Sequence, residues 1–191
     1  MKKIGLFLAI TITALLGAGC DGKSHDKQDV QIDPNLKVVI IRHGEKPKNG
    51  DNLSCQGQNR ALALASVLHQ KIGSPDTIYV PALELDDATK HSRMFQTITP
   101  FAVKYNVPIN SKYDEKDSEK VAKSVLKKSG TVLMVWEHSA IQDLAKQLGV
   151  KHAEDWSDKD FDSIWIINYN SGKAELTLDK EGLNPSPVCS F

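Results

Sequence analysis

The chain has no excess of positive charge. Its 191 residues hold 24 Lys and Arg against 24 Asp and Glu. That balance excludes the broad basic surface needed to hold nucleic acid or an anionic membrane by charge alone. There is no apolar run of the ~20 residues that a membrane-spanning helix requires. Cysteines number three, and none stands with a second Cys or His at metal-ligand spacing, so no metal centre is expected. There are no internal repeats. A basic site in such a chain must be local, and a membrane attachment must come from something other than charge or a spanning helix.

What is present begins with a targeting segment. Met1-Lys2-Lys3 is a positive start, and residues 4–16 form a short apolar stretch. It leads into Leu16-Gly17-Ala18-Gly19-Cys20, which resembles a bacterial lipobox, with Cys20 as the lipidated residue after cleavage. The alternative is an ordinary secretory signal that leaves a free cysteine. Asp21 resembles the residue that keeps some lipoproteins on the inner membrane. The expected division is a signal at 1–20, a polar tether at 21–34 and one folded domain at 35–191. Removal of residues 1–19 leaves 22 basic and 24 acidic residues, a net charge of −2. The expected location is the cell envelope or periplasm, with a lipid on Cys20 as the membrane contact. With Cys20 lipidated, Cys55 and Cys189 remain as an even pair for a disulfide, the alternative being two unrelated thiols.

The folded part alternates strands and helices. Strands are expected at 37–42, 77–80, 107–109 and 131–136. Helices are expected at 55–71 after a Ser54 cap, at 93–105 with a kink or break at Pro100, at 118–128, and at 139–148 after a Ser139 cap. Strands at 163–169 and 174–178, joined by Asn170-Ser171-Gly172, read as a hairpin. The order and the near-continuous apolar strands predict an α/β fold. It has three α/β/α layers, a mainly parallel sheet and an antiparallel C-terminal edge hairpin.

Chemistry-bearing residues fall at equivalent places in that order. Arg42 and His43 end the first strand, Arg93 opens the helix after the second, and His138 follows the apolar strand 131–136. In an open α/β sheet these positions share one edge. Two guanidiniums and two imidazoles at one point make an anion cradle, because the planar fork of arginine matches the oxygens of phosphate.

The motifs resemble those of the histidine phosphatase superfamily, the phosphoglycerate-mutase-like group. They are Arg42-His43-Gly44-Glu45; Leu53-Ser54-Cys55-Gln56-Gly57 with Arg60-Ala61; Ser92-Arg93 with Gln96-Thr97; and His138 after its strand. The resemblance implies a phosphomonoester hydrolase without cofactor, acting on a small phosphorylated substrate through a phosphohistidine on His43. Gly44 would leave backbone room for the bond that fixes the His43 tautomer. Arg42, Arg93 and His138 would hold the phosphoryl oxygens. Glu137 is the favoured proton donor, provided that the strand ends before it, and Asp114, Glu115, Glu119 and Glu84 are the other candidates. Glu45 is expected to orient Arg42 or to cap its loop. His91 is a candidate for the pocket mouth; His69 and His152 are expected on the surface, and His25 falls in the tether. Trp156, Phe161 and Trp165 are expected to be packing residues. A mutase is disfavoured, since the chain has little room for insertions that would close the site. Two other readings stay open: a non-catalytic phosphate-binding lipoprotein, and a phosphohistidine-specific phosphatase that needs no general acid.

Overall fold

The computed structural model describes residues 31–84, 89–189 and 191. The expected signal, Cys20, His25 and most of the tether lie outside the described residues.

The order of elements is β1 (Lys37–Arg42), α1 (Cys55–Ile72), β2 (Thr77–Tyr79), α2 (Ser92–Tyr105), β3 (Ile109–Asn110), α3 (Ser118–Val125), β4 (Thr131–Trp136), α4 (His138–Gln147), β5 (Ser163–Asn170) and β6 (Lys173–Lys180). The strands form one sheet in the order β3-β2-β4-β1-β5-β6. The first four strands of that order are mutually parallel, and β5 and β6 add an antiparallel edge.

The central strands are buried on both faces, as expected for strands covered by helices on each side. Val38 and Ile40 of β1 face a core with Val121 of α3 and with Ile141 and Leu144 of α4. Val39 and Ile41 face the opposite core, with Leu64 and Leu68 of α1 and with Ile98 and Phe101 of α2. This period-two division creates the three layers. At the hairpin tip, Ser171 and Gly172 both take positive φ, 49° and 74°. That is the turn geometry which follows the twist of the flanking strands.

Ser54 caps α1 by accepting from Gly57 N at 3.1 Å, and Gly73 closes the helix at φ 71°. Four expectations change. Helix α2 runs unbroken through Pro100, with Ile98 and Phe101 anchored in the core on either side of it. Strand β3 starts two residues late, because Val107 N is spent closing α2 onto Ala102 O and Pro108 has no N–H to give. Helix α3 ends at Val125, where Leu126 N and Lys128 N close a final turn. Helix α4 is capped by Glu137 and not Ser139: Glu137 sits in extended backbone and its side chain accepts from His138 N.

Cys55, at the start of α1, lies against Cys189 with Cα atoms 4.7 Å apart, a separation that a disulfide spans. The C-terminal segment thus lies along α1, where Asn59 Nδ2 donates to the carbonyls of Ser186 and Val188. Among the described residues, no group of three or more His, Cys, Asp or Glu is arranged to hold a metal.

Candidate active site

The parallel register of β1 and β4 builds the site. Arg42 pairs with Trp136 across the ladder, so the residues that follow each strand emerge side by side. His43 N donates to Trp136 O at 3.3 Å, and His43 and Glu137 meet directly.

His43 is fully buried, and both ring nitrogens are occupied. Nδ1 lies 2.6 Å from Gly44 O, and Nε2 lies 2.9 Å from Glu137 Oε2. A carbonyl and a carboxylate are both acceptors, so the two contacts are hydrogen bonds together only when the ring carries two protons. The Gly44 carbonyl fixes the proton on Nδ1, which leaves Nε2 as the nitrogen able to act as a nucleophile.

Gly44 is needed for a reason other than the expected one. The chain after His43 passes so close to α1 that a Cβ on Gly44 would sit 2.9 Å from Gly57 O, and one on Gly57 would sit 2.3 Å from Glu45 O. Gly44 N donates to Thr97 Oγ1 at 2.9 Å, a contact from α2 that the motif pattern did not reveal. Glu45 does not orient Arg42. Its carboxylate pairs with Arg60 at 2.8 Å, and its carbonyl accepts from Ser54 N and Oγ, so it closes the loop onto α1. Arg60 also pairs with Glu181 at 2.6 Å. Burial pushes the Glu181 carboxyl up to about 7, against the lowering pull of Arg60.

Glu137 follows the last residue of β4, so the strand has ended where the acid expectation required it to. One carboxylate oxygen meets His43. The other accepts from His138 N at 3.1 Å and contacts His138 Nδ1. Burial alone would raise its pKa, but the hydrogen bond and charge of His43, followed by His138, hold it at about 2. Glu137 is therefore a carboxylate that bridges the imidazoles of His43 and His138.

Arg42 is buried behind His43. Its NH1 donates to the carbonyls of Asp158 (2.7 Å), Asp160 (3.3 Å) and Ser157 (3.4 Å). Its guanidinium lies 3.9 Å from the centroid of Phe161, whose ring also meets His43 edge-on. Phe161 is thus a site residue and not simple packing. Burial lowers the Arg42 pKa, opposed first by the charge of Glu137. Arg42 Nε is buried without a hydrogen-bond partner among the described residues. An orphaned cationic N–H of this kind marks where an anion is expected. By contrast, Trp156 and Trp165 pack on each other, with centroids 5.2 Å apart, as expected.

Beside Glu137 opens a cleft of about 230 Å³, lined by Asp51, Lys90, His91, Arg93, Glu115 and Glu137. Arg93 reaches it from α2 and is held by Gly50 O at 2.6 Å and Asn52 O at 3.3 Å. His91 lines this cleft, and Glu115 meets it at 2.7 Å. The remaining carboxylates lie apart. Glu119 pairs with Lys123 on the exposed face of α3, and Asp114 accepts from the backbone of Lys116. Glu84 reaches the cleft only through His91 and Lys90. His69 and His152 are on the surface.

No known family's sequence model matches this chain, and no curated protein sequence matches it. Solved structures do. A protein histidine phosphatase, SixA, complexed with tungstate superposes with a TM-score of 0.58 at 16% identity, over 76% of this chain and 97% of the other. The chain has the histidine phosphatase fold. The same fold is found in a phosphoserine phosphatase from Entamoeba histolytica in complex with 3-phosphoglyceric acid, with a TM-score of 0.54 and 15% identity over 74% and 95% of the two chains. It is found again in the alpha-ribazole phosphatase from Shigella flexneri, with a TM-score of 0.50 and 14% identity over 81% and 98%. As a histidine phosphatase fold, the chain carries its first Arg-His pair and its second His where β1 and β4 end side by side.

Proposed function

We propose that this chain is a phosphomonoester hydrolase that works through a phosphohistidine on His43. The observation that carries the reading is the 2.6 Å contact of His43 Nδ1 with Gly44 O. It commits one nitrogen and leaves the other, Nε2, on Glu137, the residue through which His43 borders the cleft. The solved structures of this fold bound to tungstate and to 3-phosphoglyceric acid support reading the cradle as a phosphate site.

An entering phosphoryl group would displace the Glu137 carboxylate, and Glu137 would take the Nε2 proton as it leaves. His43 Nε2 then attacks phosphorus while the ester oxygen departs with the bonding pair; water later releases the phosphate from His43. Arg42, Arg93 and His138 neutralise the charge on the phosphoryl oxygens during both transfers. In this account Glu137 is a catalytic proton acceptor. The 2.9 Å contact with the attacking nitrogen is what assigns Glu137 to the His43 proton.

The setting is proposed as the cell envelope, with a lipid on Cys20 and an oxidising compartment that keeps Cys55 bonded to Cys189. The buried nucleophile with its tautomer fixed favours an enzyme over a phosphate-binding lipoprotein, since binding alone needs no such arrangement. The test is turnover of a panel of phosphomonoesters by wild type and His43→Ala. Release of phosphate by wild type and none by the variant is expected. No turnover of any ester by wild type would overturn the reading.

A further inference from the structure

The leaving oxygen of an ester needs a proton, and the cleft wall holds one candidate donor. His91 stands at the entry to α2 in the left-handed backbone region, at φ 58° and ψ 15°. That conformation is uncommon for residues other than Gly, with Asn, Asp and His the side chains that adopt it most readily. Its ring lies between two carboxylates. Nδ1 is 2.7 Å from Glu115 Oε2, and Nε2 is 3.3 Å from Glu84 Oε1. Both neighbours are acceptors, so a proton on either ring nitrogen has a carboxylate oxygen facing it.

The other charged groups that face it are excluded in turn. Arg93 keeps its charge and is assigned to the phosphoryl oxygens. Lys90 is 58% exposed and tied to Glu84 at 3.2 Å, and Asp51 is 56% exposed beside Arg93. Glu115 is buried with its near oxygen given to His91. Glu137 is assigned to the His43 proton.

We infer that His91 is the proton donor to the leaving group, with Glu115 as the residue that positions it, an inference that rests on the phosphatase reading. As the P–O bond breaks, the bonding pair stays on the ester oxygen. That oxygen takes the proton from His91 Nε2, whose contact with the solvent-facing Glu84 is the longer of the two. His91 is left neutral with Nδ1–H on Glu115. In the second half, His91 Nε2 takes a proton from the attacking water as the His43–phosphorus bond breaks. The proton held by Glu137 returns to His43, and the site is restored. The substrate class that needs this device is the alkyl phosphate, whose alkoxide is a poor leaving group. A phosphohistidine would not require it.

The experiment compares p-nitrophenyl phosphate, whose leaving group needs no proton, with glycerol 3-phosphate, whose leaving group does. For His91→Asn, which tolerates the left-handed backbone, kcat/KM on glycerol 3-phosphate is expected to fall about 10²- to 10³-fold while that on p-nitrophenyl phosphate stays within about threefold. Glu115→Gln, which loosens the positioning of His91, should lower kcat/KM on glycerol 3-phosphate by less than His91→Asn does and leave that on p-nitrophenyl phosphate within about threefold. Equal losses on both substrates, or no loss on glycerol 3-phosphate, overturn the assignment. Wild type that cleaves only p-nitrophenyl phosphate overturns it too, while leaving the phosphatase reading standing. Wild type inert towards both overturns the two together.

Discussion

Replacing Glu137 by Gln should separate binding from chemistry. The Glu137 carboxylate bridges His43 Nε2 and His138, the two groups that the proposed reaction assigns to an incoming phosphate. Its pKa is held at about 2 instead of 4.5. At ~1.4 kcal/mol per unit that displacement corresponds to roughly 3 kcal/mol of attraction. The carboxylate borders an open cleft, so solvent screening reduces the figure to about 1–2 kcal/mol. Gln keeps the shape and an oxygen for His138 N but no charge to compete with phosphate. Inorganic phosphate, titrated calorimetrically at pH 7 and low salt, should therefore bind Glu137→Gln about 5- to 30-fold more tightly than wild type. Gln cannot accept the His43 proton, so phosphoenzyme formation in a rapid-quench experiment should slow by on the order of 10²-fold. Weaker phosphate binding by the variant, or labelling at the wild-type rate, would refute the reasoning.

Other consequences follow from named contacts. Because the folded pKa of Glu137 lies below its unfolded value, its stabilisation is complete above about pH 4.5 and is lost as pH falls towards about 2; acid denaturation of Glu137→Gln should show a shallower loss across that window. Phe161→Leu removes the ring 3.9 Å from the Arg42 guanidinium, an interaction of about 0.5–2 kcal/mol, and should raise the Kd for inorganic phosphate several-fold with the fold intact by circular dichroism. Gly57→Ala drives a Cβ to 2.3 Å from Glu45 O, backbone against backbone, and should cost roughly 1–3 kcal/mol in denaturant unfolding together with a loss of turnover. Cys55→Ser opens a cross-link spanning 134 residues, which on chain entropy stabilises by up to about 4–5 kcal/mol, and should lower the unfolding midpoint only under oxidising conditions.

Much of this was legible in the sequence because its signals are local. The runs at 38–41 and 132–135 are apolar on both faces, so they read as central strands and set the positions of Arg42, His43 and His138. Ser54 and Gly73 bracket α1 by ordinary capping chemistry, and Ser171-Gly172 marks the hairpin by its need for positive φ. What was not legible depends on distant chain segments or on backbone. The carbonyls that hold Arg42 come from a loop at 157–160, more than a hundred residues downstream, and a carbonyl has no residue type to betray it. Phe161 read as packing because its partner is a guanidinium on another element. Its place in a polar loop just ahead of the strand that pairs with β1 was the available clue. Ser139 drew the cap assignment on residue preference, but the free carboxylate of Glu137 in extended backbone took the position. His91 read as a candidate for the pocket mouth from its place two residues before Arg93, and it does line the cleft, but its two acidic neighbours, Glu84 and Glu115, come from other segments.

The central claim is that Nε2 of His43 carries the phosphoryl group because Nδ1 is committed to Gly44 O. Denaturing the enzyme in alkali during turnover of p-nitrophenyl phosphate, and reading the isomer by ³¹P and ¹H–¹⁵N NMR, tests it directly. The account predicts one alkali-stable, acid-labile phosphohistidine, at His43 and on Nε2, absent from His43→Ala. Phosphate on Nδ1, on another residue, or on no residue while turnover proceeds would contradict it.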